Sequence, residues 1–352
     1  MSVLRVGLIG LGEVAQVMHL PLLSELSQQY KVQGIFDISP SLMAHVAQRY
    51  GVPQVFSSAE ALTDSSDIDL IFILSPDHLH RPHLLRALQT GKPVFVEKPL
   101  CLNTAEVAEI LAAPVRSTAM VGYMRRYAQG FLRLKELLGQ ADPIQHVHIR
   151  DVICEGPYFL RQTNSVFYPK DLPEELLHQG RALTRGLVAR GAGTEDPVKT
   201  KAYQVLTGLG VHSLSAMREL LGYPERVAFS AIQKGGECIV VVFGYAGFNV
   251  VYEALIDNVA RFDAGIEVFT DRALYALKYQ SPYVRNLPTR LHVTTSTDHD
   301  TQTLEYGPYY QDPFRSELHY LHDCVVQGRP PKTSLADAAE DIRLIEEIAR
   351  TW

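Results

Sequence analysis

Cysteine is scarce in this chain: four among 352 residues, beside a single tryptophan. Cys101, Cys154, Cys238 and Cys324 are scattered, with no CxxC pair. That excludes a disulfide framework or a zinc ribbon and leaves buried, reduced thiols as the expectation. Basic charge is also in the minority, since 33 Lys and Arg stand against 39 Asp and Glu for a formal net charge of -6. The chain as a whole therefore has no electrostatic footprint for nucleic acid. Long apolar runs are missing. The longest uncharged one, residues 239–252, is interrupted by Gly244 and Gly247 and falls short of the ~18 residues a membrane span needs. The apolar N-terminal stretch runs straight into Gly10-Leu11-Gly12-Glu13, without the longer apolar region and small-residue cleavage site of a secretory signal. A soluble, cytoplasmic protein with neither nucleic-acid nor membrane partners is expected.

What is present is a globular balance of 46% hydrophobic and 20% charged residues, which excludes a largely disordered chain. At this size about three quarters of the unfolded surface can be buried. At ~150 residues per domain the length suggests two domains.

Up to Gly122, short β-rich runs alternate with helical patterns. Residues 3–9, 31–36, 69–74, 93–96 and 118–121 read as strands, and 14–28, 41–50, 78–89 and 103–112 as helices, the last with Asn103 as its N-cap. This alternation predicts βαβ units and a parallel sheet. Beyond Gly122 the pattern changes. A helix over 127–138 and a strand over 144–153 lead into a long irregular segment, 155–199, read as a functional cover holding a short helix. A helix over 203–221 stops at Gly222 and is followed by strand-like runs at 227–233, 238–243, 248–255, 261–270 and 273–279, the signature of an antiparallel sheet. Helices over 313–326 and 335–351 close the chain. The expected fold is α/β followed by α+β. Residues 1–122 would form a dinucleotide-binding domain, 123–333 an open, mainly antiparallel sheet domain, and 334–352 a helix packing back on the first.

Gly10-Leu11-Gly12-Glu13-Val14-Ala15 fits G-x-G-x-x-G/A, after a predicted strand and at the start of a predicted helix. Gly10 allows the tight turn and Gly12 lets the backbone approach a pyrophosphate. Amides at the helix start, through Glu13 and Val14, then receive its charge. Asp37 ends the second strand, near the spacing of an acid that binds the adenosine ribose hydroxyls; the other reading is a cap for the helix after Pro40. A carboxylate there repels a 2′-phosphate, and no Arg or Lys lies between Asp37 and Arg49. NAD is favoured over NADP.

A second signature is Gly91-Lys92-Pro93-Val94-Phe95-Val96-Glu97-Lys98-Pro99-Leu100, with Ser75-Pro76-Asp77-His78-Leu79-His80 upstream. With the glycine motif, these resemble the glucose–fructose oxidoreductase / inositol dehydrogenase / rhizopine-catabolism (Gfo/Idh/MocA) family, and the resemblance runs along essentially the whole chain. It implies a Rossmann domain, an open antiparallel sheet and homo-oligomers, dimer or tetramer, built through the open sheet face. It places Ser75, Pro76, His80 and Glu97 beside the cofactor and brings Lys98 to the substrate hydroxyl. Glu97 and Lys98 are consecutive on an extended segment, so their side chains project to opposite sides. One can hold the nicotinamide ribose while the other faces substrate. A lysine acting as a base near pH 7 has to shed about three pKa units, and desolvation and a positive nicotinamide ring both push that way.

Thr207-Gly208-Leu209-Gly210-Val211-His212-Ser213 resembles the family's D-x-G-x-H segment and implies His212 as the proton shuttle. Gly208 departs from the pattern, which carries Asp four residues before the histidine; on a helix the two would share a face. Three readings stay open: a pocket widened for a bulkier substrate, another acid such as Glu195 or Asp196, or weak catalysis. In Gly122-Tyr123-Met124-Arg125-Arg126-Tyr127, the resemblance assigns Arg125 to substrate hydroxyls. His78, His80 and His83, and His319 with His322, lack zinc-type spacing to Cys or Glu, so no metal is expected. No nucleophile signature is present. The reading is an NAD(H)-dependent oxidoreductase interconverting a secondary alcohol and ketone on a sugar, inositol or related polyol, with Lys98 and His212 moving the proton. Two alternatives remain: a non-catalytic dinucleotide-binding sensor, and transient oxidation that assists bond cleavage.

Overall fold

The computed structural model describes residues 3–163 and 166–352. Met1, Ser2, Asn164 and Ser165, which fall in the expected first domain and the 155–199 segment, lie outside the described residues. The chain divides into two compact units. One holds Met1–Gly122, Asn164–Gly191 and Glu317–Arg343, the other Tyr123–Thr163, Ala192–Ser316 and Leu344–Trp352. Both units are discontinuous in sequence, whereas the sequence reading draws continuous domains with boundaries at 122 and 333. The physical reason is hydrogen bonding within the first unit: Val121 N donates to Thr333 O at 2.8 Å, Tyr30 Oη to Leu318 O at 2.5 Å, and Phe167 N to Gln16 Oε1 at 2.9 Å.

The first unit is built on β1 (Leu4–Ile9), β2 (Tyr30–Phe36), β3 (Gln54–Val55), β4 (Leu70–Ile73), β5 (Val94–Glu97) and β6 (Ala119–Gly122). All are parallel, in the order β3-β2-β1-β4-β5-β6. β4, β5 and β6 are buried at every residue, which is why they read as unbroken apolar runs rather than alternating ones. Strand order reverses between β1 and β4, so a ligand crevice is expected outside their carboxyl ends. The connections carry α1 (Leu20–Glu25), α2 (Pro40–Tyr50), α3 (Ala59–Asp64), α4 (His80–Gln89) and α5 (Thr104–Ala112). Helix α2 starts on Ser39, whose Oγ accepts from Leu42 N, and stops at Gly51 with φ 64°. Asn103 caps α5 by accepting from Glu106 N.

The second unit opens with α6 (Gln129–Leu138) and holds an eight-stranded sheet. Its strands are β7 (Ile144–Cys154), β8 (Arg226–Gln233), β9 (Cys238–Tyr245), β10 (Phe248–Asp257), β11 (Phe262–Thr270), β12 (Ala273–Tyr279), β13 (Thr289–Ser296) and β14 (Thr301–Tyr309). The order is β14-β13-β12-β11-β7-β10-β9-β8, antiparallel except for the parallel β7–β10 pair. β13 and β14 have no counterpart in the sequence reading.

The segment read as irregular is largely helical, with α7 (Gly156–Thr163) and α8 (Glu174–Ala192), the latter 19 residues long. Gly180 and Gly186 sit inside α8, and a glycine costs a helix only about 1 kcal/mol, too little to end one that is packed. Thr184 Oγ1 lies 3.0 Å from His78 Nδ1, and Leu187 O accepts from Asn103 Nδ2 at 3.3 Å. Then come α9 (Pro197–Val205), a π turn over Leu206–Gly210, and α10 (Val211–Leu221). α11 (Pro313–Gln327) and α12 (Leu335–Ala349) close the chain. Among the described residues, no helix is long and apolar enough to cross a membrane.

Candidate functional site

In the first unit the site begins at the turn between β1 and the following helix. Gly10 has φ 92°, a backbone region that side chains disfavour. A Cβ there would stand 2.6 Å from Ser75 N and 2.7 Å from Leu74 O, so the turn presses against the chain leaving β4. At Gly12 a Cβ would meet nothing within 4 Å, which leaves the backbone open to an incoming group. Asp37 holds the turn from the end of β2: its Oδ2 accepts from Leu11 N at 2.9 Å and its Oδ1 from Ser39 N at 3.0 Å. Each carboxylate oxygen keeps a second lone pair. Burial pushes the Asp37 carboxyl up, those amides pull it back, and the nearby charge of Asp171 adds to the rise. An open glycine turn at a helix start and an acid at the end of β2 fit a dinucleotide.

The helix after this turn begins with a π turn, Ala15–His19, buried throughout. Such turns cluster at functional sites because the extra residue re-aims the side chains around it. Here His19 Nε2 meets Glu97 Oε1 at 2.7 Å, with side-chain exposures of 0% and 8%. Burial alone would raise the Glu97 carboxyl, but the bond and charge of His19, with smaller help from Lys98 and His80, hold it below the usual range. Glu97 Oε2 also accepts from Lys98 N at 3.2 Å. Lys98 itself is half-buried. The buried His80 ring spans two loops, with Nδ1 2.7 Å from Pro99 O and Nε2 2.8 Å from Ser75 O. Ser75 Oγ lies 3.0 Å from His83 Nδ1, and burial drives the His83 ring down to about 4.

In the second unit, a short helical turn over Met124–Tyr127 carries two buried arginines. Arg125 Nη1 donates to Asp151 Oδ1 at 2.6 Å and to Ser213 Oγ at 2.7 Å. Tyr252 Oη donates to Asp151 Oδ2 at 3.2 Å, and the guanidinium lies 5.1 Å from the Tyr279 ring centroid. Burial pushes the Asp151 carboxyl up, opposed by Arg125, Ser213 and Tyr252. Arg126 binds Glu219 and Ser215. Both arginines thus grip α10, which carries the half-buried His212.

A family model described as an oxidoreductase family with NAD-binding Rossmann fold, GFO_IDH_MocA, matches residues 4–124. Over those residues the chain is similar to the Gfo/Idh/MocA family. Inositol 2-dehydrogenase of Klebsiella pneumoniae (strain 342) is 31% identical over 143 residues, 40% of this chain and 42% of that protein. A putative UDP-kanosamine synthase oxidoreductase subunit of Amycolatopsis mediterranei is 36% identical over 154 residues, 43% of this chain and 42% of that one. The match therefore spans about two fifths of these relatives. Among solved structures, aldose-aldose oxidoreductase from Caulobacter crescentus superposes with a TM-score of 0.74 at 20% identity, over 99% of this chain and 97% of that one. A putative NADPH-dependent oxidoreductase from Desulfitobacterium hafniense gives 0.77 at 15% identity, over 100% and 96%. At these identities the superpositions show the fold alone.

The family's motif residues gather at the carboxyl ends of β1, β2, β4 and β5: Gly10, Gly12, Glu13, Val14, Asp37, Ser75, Pro76, His80 and Glu97. Lys98 belongs to the same unit, and His212 and Arg125 to the other. Three details change the expected picture. The Arg125 Nη1 group is committed to Asp151 and Ser213 inside its unit. Asp196, offered as a stand-in for the missing family acid, caps α9 by accepting from Val198 N and Lys199 N. The α-helical spacing assumed for Gly208 and His212 is broken by the π turn, in which Val211 N bonds to Leu206 O. Sequence reasoning also missed His19, Gln16, Asp151 and Asp171. A histidine on the buried face of the glycine-motif helix was the only local signal among them.

Proposed function

We propose that the chain is an NAD(H)-dependent oxidoreductase that interconverts a secondary alcohol and a ketone on a sugar, inositol or related polyol. The observation that carries this reading is the Glu97–Lys98 pair at the carboxyl end of β5. Glu97, the last residue of β5, is held on His19, and the half-buried Lys98 follows it directly. The ring of His80 fixes the Pro99 carbonyl immediately after it. A bound nicotinamide cofactor supplies the hydride chemistry, and the protein supplies orientation and proton transfer. Lys98 Nζ takes the hydroxyl proton during oxidation and returns it during reduction. His212 relays that proton, and Arg125 holds its helix in place through Ser213. Asp37 receives the adenosine ribose hydroxyls and favours NAD over NADP.

Names of relatives that include inositol 2-dehydrogenase support the substrate class. A homodimer or homotetramer through the open face of the eight-stranded sheet belongs to the same proposal, and light scattering tests it. The deciding experiment is a panel of sugars, inositols and their keto forms with NAD+ or NADH, followed by absorbance at the reduced nicotinamide band. Turnover on at least one polyol supports the reading. Tight NADH binding with no turnover across the panel would favour the sensor instead.

A further inference from the structure

Cofactor choice in this fold is made where the adenosine 2′ position meets the end of β2 and the start of the next helix. A 2′-phosphate needs donors there, from helix-terminal amides and hydroxyls as well as from Arg or Lys. Two donors at the start of α2 are already taken. Ser39 Oγ donates to Asp171 Oδ1 at 2.6 Å, and Ser41 N donates to Asp171 Oδ2 at 2.8 Å. Asp171 comes from 132 residues away in sequence, and its hold on the helix start, Ser39 first, keeps its carboxyl below the usual range.

Asp171 does not arrive there alone. The preceding residues cross the same loops on contacts of their own. The Gln16 side chain donates to Phe167 O at 3.1 Å and accepts from Phe167 N at 2.9 Å. The Phe167 ring stacks on His45 of α2, with centroids 4.5 Å apart and planes 14° apart. Tyr168 Oη donates to Glu13 Oε1 at 2.7 Å. Residues 167–171 therefore form a strap anchored on the glycine turn at one end and on the start of α2 at the other.

We propose that Asp171 is a second cofactor-selecting residue, an internal carboxylate that fills the place a 2′-phosphate would occupy, so that NADP(H) is rejected by Asp37 and Asp171 together. This rests on the dinucleotide reading above. A phosphate at the 2′ position would have to displace Asp171 from both donors and would then lie between two carboxylates. A 2′-hydroxyl demands neither, and the free lone pairs of Asp37 suffice for it. The device is a repulsive element added to an attractive one, a common route to discrimination between similar ligands.

The test is a fluorescence titration of NADH and NADPH against the wild type, Asp171→Asn, Asp171→Ala and Asp37→Ser, with thermal melts to confirm folding. Asp171→Asn keeps the shape and removes the charge, while the Gln16 and His45 contacts still hold the strap. Either Asp171 variant should tighten NADPH by about tenfold and leave NADH within roughly threefold. Asp171→Asn combined with Asp37→Ser should tighten NADPH more than either change alone. If NADH binds but NADPH affinity does not respond to either Asp171 substitution, selection lies with Asp37 alone and the inference is wrong. If the wild type and all variants bind neither dinucleotide, the dinucleotide reading fails and the inference falls with it.

Discussion

His19 and Glu97, 78 residues apart in sequence, face each other at 2.7 Å inside the first unit. The contact ties the π turn behind the glycine motif to the last residue of β5. Position is thereby passed from the segment that would seat a pyrophosphate to the residue preceding Lys98. Both side chains are buried, with exposures of 0% and 8%, so the charge of Glu97 is compensated chiefly inside the protein, by His19.

Removing His19 should therefore cost much more than a surface substitution. His19→Leu strands a buried carboxylate, and breaking a buried pair in this way costs about 3–5 kcal/mol. Glu97→Gln leaves a neutral hydrogen-bonding partner and should lose less. Urea unfolding of the two variants checks the order. Equal losses would show that the charge of Glu97 is not what His19 compensates.

The two motif glycines should fail differently. Gly10→Ala places a methyl against Ser75 N and Leu74 O on a positive φ, so it should lower the melting temperature and abolish NADH binding together. Gly12→Ala enters open space, so the fold should survive with its melting temperature nearly unchanged while NADH binding weakens. Calorimetric melts paired with NADH titration separate the two cases. A stable Gly10→Ala protein would contradict the turn geometry.

Acid should loosen the first unit through His83. Burial, with help from the charges of His80 and His78, holds this ring near 4 in the folded state, against an ordinary value of ~6.5. Between those values the unfolded chain binds a proton that the folded chain refuses, so stability falls as pH drops through that window. Above about 6.5 the group contributes no pH dependence. His83→Gln retains a partner for Ser75 without the titration and should flatten the slope of unfolding free energy over pH 4 to 6.5 by up to one proton. An unchanged slope in denaturant titrations at stepped pH would count against this.

Arg125 should behave as a buried structural charge. Arg125→Met leaves Asp151 unpaired, with a cost of about 3–5 kcal/mol, and the double change Arg125→Met with Asp151→Leu should recover much of it. A double-mutant cycle by chemical denaturation measures the coupling. If Arg125→Met folds with full stability and only raises KM, its guanidinium serves substrate rather than α10.

The parts legible in sequence are those whose chemistry is contiguous. The glycine turn, Asp37 at the end of β2, Asn103 as a cap and Glu97-Lys98-Pro99 each announce themselves within a few residues, because turn and strand geometry constrain neighbours directly. The parts that were not legible depend on contacts distant in sequence. Nothing near Asp171 indicates that it reaches Ser39, and nothing near Asp151 indicates Arg125. The π turns at Ala15–His19 and Leu206–Gly210 interrupt helices that the sequence pattern reads as continuous. β13 and β14 carry Thr289–Ser296 and Thr301–Tyr309, too polar for an apolar alternation to stand out. Helix α8 was hidden by glycines that its packing overrides.

Proton transfer at Lys98 is tested most directly by one comparison: NADH affinity and turnover of Lys98→Met against the wild type on a polyol that the panel identifies. NADH affinity should stay within a few-fold, while turnover falls by roughly 10²–10⁴, the usual worth of a positioned proton-transfer group. Turnover that persists at the wild-type rate with NADH still bound would contradict the assignment of Lys98 as the acid/base.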